Sequence, residues 1–222
     1  MLQILIAFTF ILVTMCMVRY KRLTIPFKIL SLYFIFELLI TIFDQWEIAK
    51  YKHNTITIHI ETSGTYIFFG LIYYLLFKNK YIKASIMASI VLITVLSIIN
   101  AFFVQKYNLL FPSYTMIITE ILCIIFAIML FNKMLLYPTE INIIQQSTFW
   151  FNTAVIIYQS SLFLNSALAN YYPGHWPIDL FIVKYFWYGT IFLFYFFLVI
   201  AILTDKKEIS ATNADVSHTN SQ

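Results

Sequence analysis

The chain reads as a series of long apolar runs parted by short charged clusters. A helix needs roughly 17–25 mostly apolar residues to cross the hydrocarbon core of a bilayer. On that measure the pattern predicts seven spans, at about 2–18, 24–43, 55–77, 85–104, 111–131, 148–170 and 181–203. Pro26 and Pro112 fall at the openings of the second and fifth runs, where a helix start tolerates proline. The tail, 205–222, is rich in Ser, Thr and Asn and has no apolar period. It is expected to be disordered.

The sixth run carries the clearest internal pattern. Asn152, Gln159, Ser166 and Asn170 follow one another at steps of seven, seven and four, which puts them on one face of a helix. Tyr158, Ser161 and Asn165 form a second polar row beside it. Uncharged amides inside a membrane cost free energy unless they meet a partner or water. This helix is therefore expected to turn its amide face toward other helices or toward a wet cavity.

Composition supports a membrane protein. Of the 222 residues 61% are hydrophobic and 11% are charged, and the mean hydropathy is +0.83. Soluble domains run at about 25% charged residues. The charge also orients the chain. Arg19, Lys21, Arg22, Lys28, Lys78, Lys80, Lys83, Lys133, Lys206 and Lys207 fall on one side, and Lys50, Lys52, Lys106 and Lys184 on the other. Basic residues concentrate on the cytoplasmic side. The expectation is an all-α, polytopic seven-helix bundle in the plasma or inner membrane, N-terminus outside and C-terminus cytoplasmic. The net charge of +4 is accounted for by these flanking residues and calls for no nucleic-acid partner. The N-terminal run lacks a basic leader and reads as a retained first helix. Trp46, Trp150 and Trp176 fit interfacial anchors.

Ionisable groups inside spans default to functional candidates. Placed by helical rise, Glu37, His59, Glu61, Asn100, Asn165 and Lys184 fall in the outward half of the bilayer or at its edge, and Glu120 and Gln159 near the middle. These eight are the candidate ligand-binding or proton-responsive residues. Tyr33, Glu37, Thr41 and Asp44 share one stripe of the second helix, and Ser113 and Glu120 share a face of the fifth. Small and amide residues also serve as packing contacts between membrane helices, so convergence from several helices is what singles this set out. With 23 Phe and 16 Tyr to line it, such a site has the character of a small-molecule pocket.

Other chemistry is poorly supplied. Cys16 and Cys123 lie inside spans and read as small apolar residues. His59 is the one histidine within a span, short of the set an intramembrane zinc hydrolase needs. Lys184 sits too near the surface for a retinal-binding lysine. The short loops hold no phosphate-cradling glycine motif and no nucleophile elbow, and no cofactor is read.

Several stretches together resemble small multi-pass proteins of unknown function that are frequent in bacteria of the Bacteroidetes group. They are the basic first loop with Pro26, the Phe36-Glu37-Leu38 segment, Tyr73-Tyr74-Leu75-Leu76-Phe77-Lys78, Phe149-Trp150-Phe151-Asn152 and the aromatic run 192–197. Such proteins are often encoded beside sensor kinases and response regulators, which implies a sensory or signalling role. The expected function is a receptor-like sensor with a small-molecule or pH-responsive pocket, acting on a separate protein partner. The alternative is a small transporter or channel subunit using intramembrane carboxylates. An intramembrane enzyme ranks third.

Overall fold

The computed structural model describes residues 2–107, 111–136, 142–171 and 181–205, with side chains except at 2–5, 168–171 and 181–185. Within these residues the chain is all-helical. The α-helices are α1 (Leu2–Arg19), α2 (Ile25–Tyr51), α3 (Thr55–Leu76), α4 (Lys80–Ile99), α5 (Ser113–Leu136), α6 (Ser147–Tyr171) and α7 (Phe181–Thr204). Among the described residues four helical stretches are long and apolar enough to cross a membrane: Ile25–Tyr51, Lys80–Val104, Ser113–Leu136 and Phe186–Thr204. The apolar residues do not all turn inward. Leu39, Val91, Phe103, Ile128, Leu164 and Phe196 are exposed side chains on five different helices. An apolar surface this extensive suits lipid, where a soluble monomer keeps such patches small.

Sequential helices pack as neighbours, and α3 touches α2, α4 and α5. The antiparallel run gives the bundle two ends. At the first, the α1–α2 turn meets the start of α6 and the end of α7. At the second lie the α2–α3 turn and the start of α5.

Asp205 closes the first end. It lies one residue past α7 and is 2% exposed. Its carboxylate accepts from Thr24 N–H at 2.8 Å, from Thr24 Oγ1 at 3.1 Å and from Ser147 Oγ at 3.1 Å. Arg19 Nη2 donates to the Leu203 carbonyl at 3.1 Å beside it. The starts of α2 and α6 both present unpaired N–H groups and a positive dipole end, and a carboxylate between them answers both. Asp205 thus belongs to the bundle end, and the rest of the expected tail, 206–222, lies outside the described residues. Lys133 Nζ donates to the Leu76 carbonyl at 2.8 Å, a cation on the C-terminal carbonyls of α3.

Two acids from the last turns of α2 build the second end. Apolarity alone ends the second span at 43, yet the helix continues to Tyr51. The extra turns carry Glu47, which is fully buried and accepts from the N–H groups of Ile56 and Thr57 and from Thr57 Oγ1. Glu47 therefore caps α3 from the preceding helix. Asp44 accepts from Asn54 Nδ2 at 2.8 Å across the same turn. Lys52, at φ 66°, takes the left-handed position that stops α2.

Candidate functional site

The second end encloses a cavity of about 560 Å³ between α2, α3, α5, α6 and α7. Each helix presents polar groups to it. From α2 come Glu37, Thr41 and Asp44, the stripe expected from their spacing, and from α3 come Glu61, Thr62 and Thr65. Thr119 and Glu120 enter from α5, and Gln159 and Asn165 from α6. The aromatic walls are Tyr158, Trp187, Tyr188, Phe194 and Tyr195. The lining reaches the bundle end at Asp44, Asn54 and Phe111.

The carboxyl groups are unevenly satisfied. Glu120 is 2% exposed, and its Oε1 accepts from Ser166 Oγ at 2.9 Å. Glu37 is 9% exposed, with the Tyr33 hydroxyl close by. Glu120 Oε2 and Glu37 Oε2 are both buried without a hydrogen-bond partner. Glu61 lies within electrostatic reach of Glu37. A buried acceptor left unpaired costs about 1–3 kcal/mol, and both of these belong to side chains that line the cavity.

Toward the first end the bundle interior is a packed aromatic layer, of which Phe194 also lines the cavity. Tyr33, Phe69, Tyr73, Phe126, Phe151 and Phe194 are all buried there. Their rings touch in series: Tyr33 to Phe69 at 5.1 Å, Phe69 to Phe151 at 6.0 Å, Phe151 to Tyr73 at 5.7 Å and Tyr73 to Phe126 at 5.9 Å. One polar clip runs through the layer. The Tyr73 hydroxyl donates to Asn152 Oδ1 at 2.9 Å, and Asn152 Nδ2 donates to the Ala127 carbonyl at 2.8 Å. These bonds satisfy the Asn152 side chain inside the floor.

The amide face of α6 accordingly divides by depth. Asn152 is a packing contact, Gln159 lines the cavity, and Ser166 holds Glu120. Of the eight residues singled out by the sequence, Glu37, Glu61, Glu120, Gln159 and Asn165 line one cavity. His59 is buried on α3 and does not line it. Asn100 serves the α4–α5 connection. It opens a π-helical turn, Asn100–Val104, and its Nδ2 donates to Gln105 Oε1 at 3.0 Å, while Gln105 Nε2 donates to Ser113 Oγ at 2.8 Å. Lys184 lies on α7, and its side chain is outside the described residues, as is that of Asn170; Trp176 falls wholly outside them. The sequence reading did not single out Thr62, Thr65 or Trp187. A Thr or Trp inside an apolar run gives no signal until a neighbouring helix shows which way it faces.

Comparison with family models, with characterised proteins and with solved structures finds no match.

Proposed function

We propose that the chain is a seven-span membrane receptor or signalling component whose cavity opens to the outside and takes up a small molecule. The observation that carries this reading is a roomy, largely apolar cavity with carboxyl and amide groups on its walls, lying toward one end of the bundle, while Tyr33, Phe69, Tyr73, Phe126 and Phe151 pack as buried rings toward the other. A volume of about 560 Å³ is in the range of pockets for drug-sized ligands. A transporter or channel subunit would need polarity to continue through both halves, and beyond the cavity buried polar side chains among the described residues are answered locally, Asn152 by Tyr73 and the Ala127 carbonyl and Ser31 by the Phe27 carbonyl.

Charge supports the orientation. Arg19, Lys21, Arg22, Lys28, Lys78, Lys80, Lys83 and Lys133 lie toward the floor end, and Lys50, Lys52 and Lys106 toward the cavity end. By the positive-inside tendency the floor end, with Asp205, is cytoplasmic and the cavity faces out. Cell-membrane localisation and a separate partner that receives the signal belong to the same proposal.

Cysteine accessibility tests it. In a Cys16→Ala, Cys123→Ala background, Thr62→Cys should react with a membrane-impermeant maleimide added outside intact cells. Phe151→Cys should react from neither side. Labelling at position 151 from both sides would point instead to a transport path. Labelling at position 62 from the cytoplasmic side alone would invert the topology.

A further inference from the structure

We infer that the ligand of the cavity is an organic cation: a protonated amine carried on an apolar, aromatic-sized body. This rests on reading the cavity as a ligand site and goes further by naming the chemistry of the guest.

Three observations converge. The cavity is lined by four carboxyl groups, Glu37, Asp44, Glu61 and Glu120, and among the described residues no Lys, Arg or His lines it. Asp44 is answered by Asn54 and Gln45, and Glu120 Oε1 by Ser166. Glu37 Oε2 and Glu120 Oε2 remain without partners although both side chains are at least nine-tenths buried. An acceptor in that position is completed by a donor from the guest, and an ammonium group brings up to three donors and the opposite charge.

The carboxyls do not converge as a metal cage does. Among the described residues no three His, Cys, Asp or Glu side chains gather closely enough to hold a metal ion. They come from three helices, α2, α3 and α5, and the same walls carry rings and aliphatic side chains such as Ile40, Leu162 and Ile191. A bare ion leaves such walls unused, whereas an amine on an apolar body meets both parts. Tyr158, Trp187 and Tyr195 offer π faces on the same cavity. A cation within about 6 Å of a ring centroid is attracted by the ring quadrupole, most strongly when desolvated.

The test uses the full-length protein in detergent micelles and three probes of one shape: 2-phenylethylamine, its neutral isostere propylbenzene, and 3-phenylpropionate. Isothermal titration and thermal shift should both rank the amine first, at least tenfold ahead of either analogue. Glu120→Gln should weaken the amine at least tenfold and leave propylbenzene unchanged, and Glu37→Gln should repeat this if the Glu120 variant does not fold. Equal binding of amine and propylbenzene overturns the inference while the cavity stays a ligand site. Preferential binding of the carboxylate also overturns it. If none of the three binds at millimolar concentration, the inference and the ligand-site reading both fall.

Discussion

Ser166 on α6 donates its hydroxyl to Glu120 on α5 at 2.9 Å, 46 positions apart in the chain. This bond fixes one oxygen of a buried cavity carboxyl, leaves the other without a partner, and ties the two helices beside the cavity. Ser166→Ala removes a donor from a buried carboxylate. The expected cost is about 1–3 kcal/mol. A double-mutant cycle with Glu120→Gln, read by unfolding in mixed micelles, should give a coupling of at least about 0.5 kcal/mol. Additive effects would mean that the bond does not organise the site.

Glu47 caps α3 from the end of α2 and is fully buried. Glu47→Ala strips the acceptor from the first-turn N–H groups of Ile56 and Thr57. Loss of a cap costs about 0.5–2 kcal/mol, and burial places this one at the upper end. Hydrogen exchange should show the amides of Ile56 and Thr57 opening at least tenfold faster, while amides near Tyr73 keep wild-type protection. Uniform loss of protection along α3 would contradict a local cap.

How much of this was legible beforehand follows from which residues carry side-chain direction in their spacing. The stripe of Glu37, Thr41 and Asp44 points to one side of a helix whatever it packs against, and it lines the cavity. The steps from Asn152 to Gln159 to Ser166 likewise mark one face. What that face meets was not legible, because Tyr73, Ala127 and Glu120 come from other helices. Asn100 shows the same limit. Its depth resembles that of a cavity residue, yet a π-helical turn delivers it to Gln105 five residues on. The reach of α2 past residue 43 was hidden because apolarity reports burial in lipid, whereas Glu47 in its last turns is buried in protein and Asp44 is half-buried there.

Gly70 on α3 lies against Ile90 on α4. A Cβ at position 70 would stand 2.8 Å from both Cδ1 and Cγ1 of Ile90. Both residues are buried, so the ring of neighbours leaves little room to yield. Gly70→Ala should overpack this crossing and cost about 1–3 kcal/mol. Ile90→Ala in the same chain removes the clashing atoms and should recover part of the loss. A melting temperature unchanged by Gly70→Ala would show that α4 shifts freely on α3.

Asp205 supplies a pH prediction at the far end from the cavity. Burial, the dominant influence, pushes its carboxyl above the usual aspartate range, and the hydrogen bonds from Thr24 and Ser147 and the charge of Arg19 pull it back only in part. The folded state therefore takes up a proton at a pH where the unfolded chain has not yet done so. Wherever the folded state binds more protons, stability rises as pH falls. The gain from this group begins as pH drops through the raised folded value. It is complete below the ordinary aspartate value of about 3.9, where both states are protonated. Asp205→Asn has nothing to titrate at that position, and the other acids contribute equally to both proteins. The wild-type melting temperature minus that of Asp205→Asn should therefore grow more positive between pH 7 and roughly pH 4. A difference that shrinks over this interval would mean that the two helix starts and Arg19 outweigh burial and hold Asp205 charged.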